Sequence, residues 1–153
     1  MTLLDSLNGI INNKILWIAV VSWMVAQIIK VILYLIKFKR INFTLFVASG
    51  GMPSSHTSFV TALTTAVGMS EGFDSPVFAV AAVLSLVVMY DAAGVRRAAG
   101  KQAAVLNQLV ESGETTGFWD VKLDKKLKEL LGHSPIQVAA GAFLGVVTGI
   151  IAS

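Results

Sequence analysis

Apolar residues in this chain arrive in long blocks separated by short polar turns, not in the alternation of a half-buried soluble fold. The first block, about Ile15 to Ile36, is long enough to cross a bilayer as a helix. Ile41 to Ser49 is too short to span and reads as a re-entrant or interfacial segment between a basic cluster and a glycine pair. A second helix is expected from Ser54 to about Met69, with Thr57, Thr61, Thr64 and Gly68 on one face suited to close packing. Ser75-Pro76 has the form of an N-cap with proline at the first helical position, and opens a third span to about residue 93. From Gly100 to Gly132 the pattern becomes amphipathic. It predicts one helix around Val105 and Leu109, then a loop over Gly113 to Asp120 with Phe118 and Trp119 at the interface. In a second helix Leu123, Leu127, Leu130 and Leu131 alternate with Lys122, Lys125, Lys126 and Lys128. The last span, Pro135 to Ala152, carries Gly141, Gly145 and Gly149, a ladder that permits close backbone approach within the bundle or in a homo-oligomer.

The expected fold is therefore all-α: one membrane-embedded domain over residues 1–153, an integral membrane helical bundle. It has about four transmembrane helices (15–36, 54–69, 76–93 and 135–152), a short re-entrant or interfacial segment, and cytoplasmic amphipathic helices within 100–132.

Composition agrees with a membrane solvent. Hydrophobic residues make up 55% and charged residues 14%, against about 25% charged in soluble domains. The absence of cysteine excludes disulfides, thiolate metal sites and cysteine nucleophiles. A net charge of +3 reports, in such a chain, orientation and contact with anionic lipid. The lysine run lacks the aromatic interleaving of a nucleic-acid surface, so no nucleic-acid partner is expected. Met1 to Asn13 has neither a basic n-region nor a small-residue cleavage site, so it does not read as a removed signal peptide. Lys37, Lys39, Arg40 and the bases from Arg96 to Lys128 fall on one side, while the opposite loop has Glu71 and Asp74. The positive-inside rule puts the basic side in the cytoplasm and both termini outside.

Candidate chemistry collects on that cytoplasmic side. Gly50-Gly51-Met52-Pro53-Ser54-Ser55-His56-Thr57 is a polar turn entering a helix: a serine cap, glycines that admit close approach, and N–H groups that attract an anion. His56 adds a group that exchanges a proton near neutral pH. His133 precedes Ser134-Pro135-Ile136-Gln137, which has capping-box spacing and proline at the first position. Helix capping explains the serine, proline and glutamine but not the histidine. Lys30 and Lys37, seven apart, share a helix face. Asp91 lies near the membrane boundary, with Arg96 and Arg97 after it. Converging cations, helix N-termini and two imidazoles suit a phosphate, one imidazole attacking phosphorus and the other protonating the leaving oxygen. A metal site built from His56, His133 and Asp91 is disfavoured for want of further ligands, and no cofactor is expected.

These motifs resemble the type 2 phosphatidic acid phosphatase family, related to vanadium-dependent haloperoxidases, and more narrowly its small divergent branch of membrane proteins. The family pattern is a lysine six residues before Arg-Pro, then Pro-Ser-Gly-His, then Ser-Arg followed by a histidine with an aspartate four residues later. Lys30 to Lys37, Pro53 to His56 and His133 to Gly141 are similar to these in turn. Gly50 to Thr57, Tyr90 to Ala103 and Gly132 to Gly145 are similar to the divergent branch. The resemblance implies a metal-independent phosphatase of the bacterial cell membrane, acting on a lipid phosphate or prenyl diphosphate. His133 would form a phosphohistidine and His56 would be the general acid. Lys30 and Lys37 would neutralise phosphate oxygens, aided by N–H groups at Ser54 and Ser55, and Arg96 or Arg97 would supply the arginine of the third motif. Departures are Lys37 for arginine with no proline after it, Ser55 for glycine, Leu127 where Ser-Arg would stand, and Gln137 for the aspartate. Asp91 is a candidate replacement for that acid. A catalytically inactive protein that binds anionic headgroups or serves as a scaffold is the alternative these departures suggest.

Overall fold

The computed structural model describes residues 2–40, 51–116, 127 and 132–153, the side chains of 113–116 excepted. Its elements are helices: α1 (Leu3–Ile11), α2 (Lys14–Phe38), α3 (Ser55–Glu71), α4 (Pro76–Tyr90), a π-helical turn (Asp91–Val95), α5 (Arg96–Thr116) and α6 (Pro135–Ala152). Three stretches are long and apolar enough to cross a membrane: Lys14–Phe38, Pro76–Ser112 and Pro135–Ala152.

The fold is organised around α3, which packs on α2, α4 and α6. Its sequence suits an enclosed position, because small residues predominate and its hydroxyls find acceptors. Thr61 Oγ1 donates to Thr57 O at 2.8 Å, returning to the preceding turn. Ser58 and Ser22 hydroxyls share a bond of 2.6 Å toward α2, and Thr64 and Ser85 one of 2.7 Å toward α4. Such bonds are worth making where lipid offers no alternative partner. On the α6 side, Gly141, Gly145 and Gly149 are buried against α3. A Cβ at Gly141 would strike Ser54 O, and one at Gly145 would strike Thr61 Oγ1 and Ser58 O. The glycine ladder is thus occupied within the chain.

At the far end Lys14 Nζ donates to Ser153 O at 2.7 Å, and Ile18, Ala62 and Ala66 form an apolar cluster. α2 and α4 run antiparallel to α3 and α6, so the C-terminal halves of α2 and α4 meet the N-termini of α3 and α6 at the other end.

One helix is added and two expectations change. The first residues form α1, closed by a capping box in which Thr2 Oγ1 accepts from Asp5 N at 3.2 Å and Asp5 Oδ2 from Thr2 N at 2.8 Å. The third span and the first amphipathic helix are continuous through the π turn, because Gly94 has no positive φ and nothing crowds it. The helix also reaches Thr116, taking in Gly113 to Thr116 that were read as loop. The re-entrant segment at 41–49 and the lysine-rich helix at 122–131 lie outside the described residues, Leu127 apart.

Candidate functional site

Four chain segments converge at the end of the bundle opposite Lys14. From α2 comes Lys30, 3% exposed, whose Nζ donates to Gln27 Oε1 at 2.7 Å. Gln27 is a residue the sequence reading gave no role, although its i, i+3 spacing is that of a helix-face pair. Lys37 lies two turns further on and is exposed, its Nζ 5.3 Å from the Phe38 ring centre.

The turn into α3 packs on Lys30. Gly51 has φ +84, and its Cα side lies on the Lys30 stem, where a Cβ would sit 3.3 Å from Cγ and Cδ. Ser54 caps α3, its Oγ accepting from Thr57 N at 3.4 Å and from Thr57 Oγ1 at 2.9 Å. Ser54 N–H donates to Gln137 O at 3.0 Å, which fastens the start of α3 to the first turn of α6. Of the N–H groups at this helix start, Ser54's is therefore engaged, and those of Ser55 and His56 are first-turn donors without an intrahelical acceptor. His56 itself is exposed and opens onto an apolar cavity of about 300 Å³ lined by Trp23, Phe59, Val60 and Val88.

The segment before α6 brings His133. Gly132, at φ +89, lies so close to the Arg96–Arg97 backbone that no side chain fits there. His133 N–H then donates to Ala92 O at 3.0 Å. In α geometry that carbonyl would take the Arg96 N–H, but Arg96 bonds one residue further back, to Asp91 O. The π turn thus frees the acceptor that holds His133, a backbone role that no side-chain motif announces.

The His133 imidazole is 4% exposed, and Nδ1 and Nε2 are the buried side-chain nitrogens without a hydrogen-bond partner among the described residues. Leaving such atoms unpaired costs about 1–3 kcal/mol each, so the site is unsatisfied as it stands. Burial pushes the imidazole down to about 4, and Lys30, His56 and Arg96 push the same way. At neutral pH it is uncharged, with a ring lone pair to offer.

Gln137 does not reach for this imidazole. Its Oε1 accepts from Ser134 N at 2.9 Å, completing the α6 capping box, and it lines a cleft of about 280 Å³ with Lys30, Tyr34, Lys37 and Gly51. Asp91 Oδ2 accepts from Arg96 Nε at 2.7 Å. Arg97 is exposed. Two helix N-termini fastened side by side, a buried lysine and a neutral imidazole thus meet at one end of the bundle, features that favour an anion.

Residues 11–148 match the family model described as the Divergent PAP2 family. Over 134 residues the chain is 42% identical to a Bacillus subtilis (strain 168) protein described as uncharacterized membrane protein YuiD, covering 82% of this chain and 85% of that one. No solved structure matches the chain.

Proposed function

The chain belongs to the Divergent PAP2 family, and from that premise we propose that it is a metal-independent phosphatase acting on a membrane lipid phosphate or prenyl diphosphate. The observation that carries this reading is the buried, neutral His133, with both ring nitrogens unpartnered among the described residues, placed where Lys30 and Arg96 act on it.

In the proposed reaction the phosphate enters the cleft beside Lys30 and Lys37, against the N–H groups of Ser55 and His56. A ring nitrogen of His133 attacks phosphorus, the bond from phosphorus to the leaving oxygen breaks, and protonated His56 gives that oxygen its proton. Water then attacks the phosphohistidine, His56 takes the proton released, and inorganic phosphate leaves. The lysines and helix N–H groups oppose the charge that builds on the equatorial oxygens. Gln137 orients α6 through its cap and offers no charge to the imidazolium-like intermediate.

In the membrane, α3 crosses together with the three long apolar helices, giving four spans of a bacterial cell membrane with the site at the cytoplasmic face. Basic residues around Lys37 and Arg96 support that orientation.

The test offers purified protein phosphatidic acid, a prenyl diphosphate and phosphatidylglycerol phosphate in detergent containing EDTA, beside His133→Ala. Phosphate release that survives EDTA and vanishes in His133→Ala is the expected result. Headgroup binding without release from any of the three identifies an inactive anionic-lipid binder instead.

A further inference from the structure

We propose that Asp91 is a positioning residue that acts through the π turn: it holds Arg96, rather than Arg97, with its guanidinium fork turned to the phosphate beside His133. This rests on the phosphate-site reading above and adds to it the reason an acid stands at the edge of an anion site.

The argument begins with helix geometry. Asp91 and Arg96 are five apart, which in an α-helix separates them by about 140° around the axis. Across a π turn, where the hydrogen bond runs from residue i+5 to residue i, the same two residues stack. Arg96 N–H bonds Asp91 O, and Arg96 Nε bonds Asp91 Oδ2 at 2.7 Å, so backbone and side chain close the same ring. Engaging Nε leaves the two Nη groups, the pair that grips phosphate bidentately.

The same turn carries His133. Ala92 O, released by the π geometry, accepts the His133 N–H at 3.0 Å, and Gly132 rests on the backbone of Arg96 and Arg97. Nucleophile and arginine are therefore registered to one another by a single element, and the acid fixes the arginine's rotation within it. A carboxylate placed for stability alone would be a poor choice here: the pair is 47% and 39% exposed, and ion pairs of that exposure contribute little to folding. Both arginines are exposed, but Arg96 is the one paired with Asp91 and the one whose charge acts on His133 and His56.

Equilibrium binding of orthovanadate to the detergent-solubilised protein, with phosphate release in parallel, tests this. Arg96→Gln is expected to weaken binding about 10- to 100-fold, with a smaller loss for Arg97→Gln. Asp91→Asn is expected to weaken it about 5- to 10-fold with the thermal midpoint within about 2 °C of wild type. Asp91→Glu recovers part of the loss, and Asp91→Asn with Arg96→Gln binds no worse than Arg96→Gln alone. Wild-type affinity in Asp91→Asn, or losses that add in the double variant, overturns the positioning role while leaving the phosphate site standing. No binding and no release by the wild type overturns the phosphate site itself.

Discussion

The backbone N–H of His133 donates to the carbonyl oxygen of Ala92 at 3.0 Å, tying the buried imidazole to the one described place where the α4–α5 helix leaves α geometry. The imidazole is held by its main chain and by packing, while its own two nitrogens find no partner among the described residues. Function and stability therefore oppose each other at this residue. Replacing His133 with leucine removes two unsatisfied buried atoms and is expected to raise the thermal midpoint by about 2–4 °C while abolishing phosphate release. Differential scanning fluorimetry in detergent and a phosphate assay measure both; a large drop in the midpoint would show that the imidazole is structurally satisfied.

The same residue sets a pH dependence. Its ordinary value is 6.5 and its folded value about 4, so between these pH values the unfolded chain binds a proton that the folded chain refuses. The residue therefore adds no protonation cost to the folded state above about pH 6.5, and a cost that grows as the pH falls toward 4. Thermal midpoints recorded across that interval should fall with acid in the wild type and fall less in His133→Leu. Parallel curves for the two proteins would assign the acid sensitivity elsewhere.

Much of this site was legible in the sequence, for a physical reason. A lysine seven residues from another, and a serine cap followed by a histidine, are side-chain statements whose geometry a helix fixes at once. Lys30 and Lys37 consequently line one cleft, as their spacing implies, and Gln137 joins them there from α6. The π turn was not legible, because it is a change of hydrogen-bond partner along Asp91–Val95 that no residue type encodes. Its only trace is an acid and a base five apart, a spacing that α geometry leaves unpaired and that reads as nothing until the turn is seen. The third span was expected to end near residue 93, whereas the chain stays helical past Gly94, a glycine without positive φ. The direction of the glycine ladder in α6 was likewise open, as periodicity places three glycines on a face without saying what lies opposite.

Lys30 separates charge from packing. Its stem covers Gly51, so Lys30→Met keeps the contact and removes the buried cation. Orthovanadate affinity is expected to fall at least about 10-fold with little change in thermal stability, relief of the buried ammonium offsetting loss of its bond to Gln27 Oε1. Gly51→Ala reaches the same place from the other side. At φ +84 a side chain costs about 1–2 kcal/mol, and its Cβ presses on Lys30. A lower midpoint accompanied by weaker anion binding is expected; unchanged values for both would remove Gly51 from the site.

Gln137→Glu pits the cap against the ligand. Glutamate at this position preserves the reciprocal bond to Ser134 and adds a negative charge at a helix N-terminus, worth about 0.3–1 kcal/mol. That charge also enters the cleft shared with Lys30 and Lys37. The variant should melt at or slightly above the wild-type temperature and bind orthovanadate about 10-fold more weakly, the loss growing as ionic strength is lowered. Tighter binding would mean that the carboxylate reaches the imidazole and supplies the missing acid.

Two glycines in helices should respond to alanine with opposite signs. At Gly145 the added methyl would overlap Thr61 Oγ1 and press on the backbone of Ser58 and Ala62, none of which is a flexible side-chain end. Parting α6 from α3 there is expected to cost about 1–3 kcal/mol, and because Ser54 and Gln137 join the same two helices, the anion cleft loosens with it. At Gly94 nothing lies within 4 Å of the added methyl, so alanine is expected to stabilise by up to about 1 kcal/mol. Gly94→Ala also probes the π turn, since a better helix former favours regular α geometry. If regular geometry returns, Ala92 O is reclaimed by Arg96 N–H, and hydrogen exchange at the His133 amide should quicken even as the midpoint rises. A slow His133 amide in Gly94→Ala would show that the bond from His133, and not the residues of the turn, is what keeps the helix in its π form.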